Sequence, residues 1–338
     1  MPTEEAAVAA QQREQENCET PQQQLLPQRY TYKSGAVYEG TFNGTKRHGR
    51  GHWHHPGGET YEGEYVNNKQ EGMGVYLFAG SGKRYIGHWK EGEMDGEGVY
   101  YYSPDGGTYY VGGYAQDKKN GRGCYCYENG IVTVQGWLQG VLQSEVEATM
   151  MQRVEATLHI EAITAAVRGV APTELGAQPP PSEVRTFQFP SGATYTGQYH
   201  GTKKHGTGYW LHPEGDSYDG QFEQNKHSGW GVYLIGRSGK KYVGHWHDGK
   251  MNGVGIYYFN AEETEYFIGS YKDDVKHGHG FYRFAESGNS KLQLWENGAI
   301  KEESDAEEAV VQQYQAAMRK IIEIVRPFAT HYVPAIAP

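Results

Sequence analysis

The sequence predicts a mainly β chain made of two elongated arrays of β-hairpins, each array followed by an amphipathic α-helix. Three observations carry this reading. A short pattern recurs, with an aromatic residue, a glycine and a second aromatic at alternate positions, then a turn and Gly-x-Gly; at Tyr85 to Tyr100 it reads YIGHWKEGEMDGEGVY. The copies are regularly spaced: Tyr38, Tyr61, Tyr85 and Tyr110 lie 23, 24 and 25 residues apart, and Tyr195, Tyr218, Tyr242 and Phe267 repeat those spacings 157 residues later. After each set comes a segment whose apolar residues recur at helical period. A period in the twenties marks a stacked array, and the offset between the sets marks a duplication of that array.

In chain order, residues 1–28 are rich in Gln and Glu and poor in aromatics, which predicts a disordered tail. The first array spans 29–141. Alternate side chains share one face of a strand, so Tyr85, Gly87 and Trp89 line one face, Glu91-Gly92-Glu93 makes the turn, and Gly96-Glu97-Gly98 opens the returning strand. Glycine weakens a strand, and the reason for it here is close approach by a neighbouring ring. A fifth, degraded module closes each array, around Val134-Gln135-Gly136-Trp137 and around Leu292 to Gly298.

Residues 142–169 are expected to form a helix opened by the capping box Ser144-x-x-Glu147, with Leu142, Val146, Met150, Val154, Leu158, Ile163 and Val167 on one side and Gly169 and Pro172 as stop signals. Residues 170–186, with Pro172 and Pro179-Pro180-Pro181, read as a semi-extended spacer, so the arrays are expected not to share one core. The second array spans 187–300. A C-terminal helix at 301–326 is opened by Ser304-x-x-Glu307, carries Val310, Tyr314, Ala317, Met318, Ile321, Ile324 and Val325 as one stripe, and ends at Pro327; residues 327–338 form a tail. Each helix either caps the open edge of its own array or pairs between halves, between subunits or with a partner.

The pattern Tyr-x-Gly-x-(Trp/Tyr/Phe), a turn and Gly-x-Gly, in eight modules over about two thirds of the chain, resembles the MORN repeat (membrane occupation and recognition nexus). The resemblance implies an architecture more than an activity. Members built only of repeats and helices resemble components of cilia and flagella, including radial spoke heads. This chain departs from one such pattern in having two separated arrays instead of a single array with an acidic low-complexity tail.

Composition narrows the function. Only 37% of the residues are apolar while 28 are Tyr and 47 are Gly, so contacts of rings on glycines replace a large aliphatic core. A formal charge of −10 argues against nucleic acid as the main partner. Cys18, Cys124 and Cys126 make neither a disulfide framework nor a zinc site. No apolar leader segment and no run of about 18 apolar residues occurs, which predicts a soluble cytoplasmic protein.

No catalytic constellation can be argued. The histidines at 48, 205 and 277 occupy one repeat position, each just before a Gly-x-Gly, which marks them as structural; Ser81-Gly82-Lys83 and Ser238-Gly239-Lys240 lack the full phosphate-loop spacing. No cofactor or metal is expected, and no enzyme activity. The expectation is a scaffold of the ciliary or flagellar cytoskeleton, located at the axoneme with the radial spoke as one candidate. It binds cytoskeletal or axonemal proteins through aromatic-lined ribbons, with self-association through the helices as a further option. The candidate contact residues are Trp53, Tyr65, Trp89, Tyr114, Trp210, Phe222, Trp246 and Tyr271. The alternative is a peripheral adaptor on anionic lipid, for which Lys46-Arg47, Lys83-Arg84, Lys118-Lys119, Lys203-Lys204 and Lys240-Lys241 must share one face.

Overall fold

The computed structural model describes residues 27–168, 170, 171 and 184–332. Cys18, nearly all of the N-terminal tail, the prolines of the spacer and the last six residues lie outside the described residues.

Each array is one antiparallel sheet of 11 strands whose spatial order is the chain order, the first running from β1 (Gln28–Thr31) to β11 (Val141–Glu147) and the second from β12 (Val184–Gln188) to β22 (Ala299–Asp305). Helix α1 (Met150–Arg168) follows the first sheet and α2 (Glu308–Val325) the second.

Each repeat is a hairpin closed by a ring on two glycines. In the hairpin of β6 (Arg84–Lys90) and β7 (Glu93–Tyr101), Gly87 faces Gly98 across the ladder. The Tyr85 side chain lies over both, and its hydroxyl donates to the His88 carbonyl at 3.0 Å. A Cβ on Gly98 would meet the Tyr85 hydroxyl at 2.3 Å, so the hole expected from the sequence is real. Gly96, the first glycine of Gly-x-Gly, serves the turn of the backbone instead, since its φ of +109° admits the irregular pairing opposite His88.

The fifth modules close the ring ladder with hydrogen bonds. Gln135 stands where the other hairpins have glycine, paired with Gly123 on one side and Glu145 on the other. The Glu145 carboxylate accepts from Thr133, Gln135 and Tyr127 at 2.6 to 2.7 Å, and these bonds hold it below the usual carboxylate range. Gln293, Glu303 and Trp295 repeat the device in the second sheet.

Strand pairing also moves both helix starts. Ser144 and Glu147 are laddered to Gly136 and Thr133 in β11, and Ser304 and Asp305 to Leu292 and Lys291 in β22, so neither expected capping box forms. Tertiary pairing of an edge strand overrides the local cap. The box that does form is Thr149 with Gln152, whose side chains each accept the other's backbone N–H, at 3.3 and 2.9 Å. Glu307 precedes α2 without a side-chain cap bond. Thr149→Ala is expected to cost about 1 kcal/mol of stability, read from urea unfolding; an unchanged midpoint would dismiss the cap.

Neither helix covers a sheet edge. Helix α1 lies on the face of the first sheet opposite the rings, its Ala156, Ile160, Ile163 and Val167 against Val75, Ile86, Val99 and Val111. Its Met150, Val154 and Leu158 enter a second core with Trp230, Val243, Ile256 and Ile268 of the other sheet and Tyr314, Ala317 and Ile321 of α2. The two arrays therefore share a core, contrary to the expectation from the proline spacer: α1 has apolar residues on two sides and is buried by both. Polar contacts cross the same junction. Glu161 accepts from Trp230 Nε1 at 2.8 Å and lies 3.0 Å from His245 Nε2, and Arg153, 3% exposed, donates to the carbonyls of Ala148 and His279 at 3.2 and 3.1 Å. His277 accepts the Asn297 N–H at Nδ1, so Nε2 carries the proton donated to the Glu128 carbonyl at 2.9 Å.

Candidate partner-binding surface

The ring face of each sheet has two levels. The inner level is a continuous ladder of edge-to-face contacts, Tyr38, Tyr65, Tyr61, Trp89, Tyr85, Tyr114 and Tyr110, with successive centroids 5.1 to 5.6 Å apart. Tyr195, Phe222, Tyr218, Trp246, Tyr242, Tyr271 and Phe267 repeat it at 5.0 to 5.8 Å. Such pairs stabilise by about 0.5–1.5 kcal/mol beyond the area they bury, and here every hairpin joins the next through one. Burial pushes the tyrosine hydroxyls upward, Tyr38 to about 12.

Six of the eight residues expected to meet a partner belong to this inner level. Tyr65, Trp89, Tyr114, Phe222, Trp246 and Tyr271 are each less than 8% exposed, so they hold hairpins together and cannot offer a free surface. The reason is geometric: in each repeat the second aromatic of the first strand turns onto the preceding ring.

The outer level is half-exposed and holds the other two, Trp53 and Trp210. It contains Trp53, Tyr76, Tyr100 and Tyr125 on the first sheet and Trp210, Tyr233, Tyr257 and Tyr282 on the second. A further ring stands beside most of them, so that Tyr76, Phe78, Tyr100, Tyr102 and Tyr125 run on at 4.7 to 5.5 Å. The outer residues carry a sequence signal of their own, which the choice of contact residues by aromatic type overlooks: each is the second residue after Gly-x-Gly in its repeat. Two clefts open in this level, one of about 340 Å³ at Trp53 and Tyr76 and one of about 290 Å³ at Tyr233 and Tyr257.

The basic dipeptides do not form a common face. Arg47, Lys119 and Lys204 turn onto the ring ladder, Arg47 over Tyr65 at 4.8 Å and Lys204 over Phe222 at 5.1 Å. Arg84 and Lys241 turn the other way, onto Tyr101 and into an ion pair with the buried Glu263 at 2.5 Å. Lys119 and Lys276 are each ringed by four aromatic faces within 4.3 to 5.4 Å. Burial pulls both ammonium groups down to about 8, and the negative ring faces favour the charge that burial opposes.

Among the described residues no cluster of three or more His, Cys, Asp or Glu could hold a metal, and no helix is long and apolar enough to cross a membrane.

The family model of the MORN repeat matches eight segments, residues 38–60, 61–83, 85–107, 110–132, 195–217, 218–235, 242–261 and 267–288. The chain belongs to the MORN-repeat family. Every matched segment begins at the ring that sits on its two glycines, so the MORN motif and the hairpin described above are one unit. MORN repeats serve as protein-interaction or membrane-binding scaffolds, and the family is generally structural or binding in character. Alsin of Homo sapiens and of Rattus norvegicus is 34% identical over 95 residues, 27% of this chain. The chain spans only 6% of the length of those curated relatives. Among solved structures, the SAS-4 (dCPAP) TCP domain of Drosophila melanogaster, in complex with a proline-rich motif of Ana2 (dSTIL), aligns at 9% identity and a TM-score of 0.15, covering 65% of this MORN chain and 83% of that one. Kluyveromyces lactis Hsv2 aligns at 8% and 0.15, covering 82% and 98%. At those scores neither likeness carries an argument about the MORN sheets.

Proposed function

We propose that this MORN protein is a non-enzymatic scaffold of the ciliary or flagellar cytoskeleton, holding axonemal partner proteins on the outer aromatic rows of its two sheets. The observation that carries the reading is the pair of half-exposed rows, Trp53 to Tyr125 and Trp210 to Tyr282, on sheets held to each other by α1. Aromatic side chains give large contact area at low entropy cost, and two rows on one body give two attachment points. The assignment to cilia rests on the likeness to repeat-only members of the family. The lipid-adaptor reading has less support, because Arg47, Lys119 and Lys204 turn to one face and Arg84 and Lys241 to the other.

The test is fractionation of a flagellated cell carrying the tagged protein, first with detergent and then with high salt. The intact chain is expected to stay with the detergent-resistant axoneme. A Tyr76→Ala, Tyr100→Ala, Tyr257→Ala variant is expected to leave it while still unfolding cooperatively, with stability lowered by about 3–7 kcal/mol for the five ring contacts it removes. Release of the intact chain by detergent alone would reject the reading in favour of the membrane.

A further inference from the structure

The residue set between successive hairpins on the ring face is the second residue of each returning strand. In the first sheet it is Arg47, Gln70, Met94 and Lys119, and in the second Lys204, His227, Met251 and Lys276. At both ends of each array this position holds a cation, and in the middle it is neutral in charge type or, at His227, a ring stacked on Tyr218 at 3.7 Å whose imidazole burial holds neutral at ordinary pH. The end positions show what the surroundings accept. Lys276 Nζ lies 4.3 Å from the Phe267 and Trp295 ring centres, 5.0 Å from Tyr282 and 5.1 Å from Phe259.

One repeat earlier, the same positions are Tyr242, Tyr271, Tyr257 and Ile235, and Met251 stands in place of the lysine. Methionine leaves a cleft of about 290 Å³ here, lined by Met251 and by Tyr242, Tyr257 and Ile235 of the equivalent positions, and completed by Trp246 and by His227 and Tyr233 of the preceding repeat in place of Tyr271. Asp274 lines the same cleft. Its Oδ1 accepts the Met251 N–H at 2.8 Å, which fixes the carboxylate there, and no Lys or Arg is among the lining residues. Electron-rich ring faces together with one fixed carboxylate form a receptor for an ammonium or guanidinium group. The cleft at Trp53 is different, because Arg47 lines it and repels a second cation.

We propose that the cleft over Met251 binds a lysine or arginine side chain of a partner protein, in the way the next repeat already binds its own Lys276. The inference deepens the scaffold reading, on which it rests, by naming the chemistry that the second array takes.

The test titrates N-acetyl-arginine amide, N-acetyl-lysine amide and N-acetyl-norleucine amide into the full chain and follows the Trp246 indole and Met251 methyl signals by NMR. The two cationic probes are expected to give saturable shifts and norleucine amide much smaller ones. Met251→Lys puts this protein's own cation in the cleft, as in the neighbouring repeat, and is expected to abolish the response. Asp274→Asn keeps the turn bond, since Asn68 and Asn225 make it at equivalent positions, and is expected to weaken binding about three- to ten-fold. Equal binding of norleucine amide, or an unchanged response in a folded Met251→Lys chain, would overturn the proposal. Either result, with the intact chain still retained on the axoneme, rejects the cleft and leaves the scaffold reading standing. A saturable cation response in a chain that detergent releases does the reverse.

Discussion

Gly87→Val is expected to destabilise the first sheet by about 3 kcal/mol or more, an overpacking cost at the upper end of its usual range. A Cβ at Gly87 would come within 2.5 Å of the Gly98 Cα, 2.7 Å of the Glu97 carbonyl oxygen and 2.7 Å of the Tyr85 hydroxyl. Two of these three are backbone atoms of the adjoining strand, so no side-chain rotation relieves the clash. The Tyr85 ring must lift, and with it the edge contacts to Trp89 and Tyr114 at 5.3 and 5.2 Å that join this hairpin to both neighbours. In a stacked array each repeat is stabilised by its neighbours, so the damage spreads to the adjoining hairpins before the rest of the chain. Urea unfolding gives the size of the loss and hydrogen exchange its place, with loss of protection centred on Tyr61 to Tyr125. An unaltered midpoint would refute the ring-on-glycine account of the repeat.

Arg153→Ala is expected to cost about 2–4 kcal/mol and to loosen one sheet from the other. The ion pair with Glu147 at 3.0 Å is a small part of this, because that carboxylate is half-exposed and water screens it. The larger part comes from the carbonyls of Ala148 and His279, which lose a charged donor inside the junction between the sheets. Arg153→Lys is expected to recover little of the loss, since one ammonium cannot reproduce the planar fork that serves both carbonyls and Glu147. The check is hydrogen exchange along α1 together with the unfolding midpoint. If exchange at Val154 to Leu158 stays as slow as in the intact protein, the guanidinium does not hold the junction.

Differences between the repeats explain why α1 and α2 dock where they do. In Tyr-x-Gly the middle residue points to the face opposite the rings, and along the first array it is Glu39, Glu62, Ile86 and Val111, along the second Thr196, Asp219, Val243 and Ile268. This position turns apolar in the third and fourth repeats, and Ile86, Val111, Val243 and Ile268 are among the residues the helices cover. That pattern was legible in the chain. The site residues were less so, because the two aromatics of the first strand and the aromatic of the returning strand look alike in sequence while one pair is buried and the other half-exposed.

The order of residues alone specifies the repeat, its period, the ring-on-glycine hairpin and a helix after each array, because these follow from contacts between residues a few dozen positions apart, and it displays the duplication directly. Tertiary structure decided the rest. It set the helix starts at Thr149 and Glu307 in place of Ser144 and Ser304, since pairing in the fifth hairpin extends those serines. It buried Tyr65, Trp89, Tyr114, Phe222, Trp246 and Tyr271 and left the outer row half-exposed. It joined the arrays through α1, whose second apolar side meets residues that lie about 70 to 170 positions further along the chain. Local patterns mark which faces are apolar but not which helix each face meets at that separation, which depends on how two finished sheets fit against one helix.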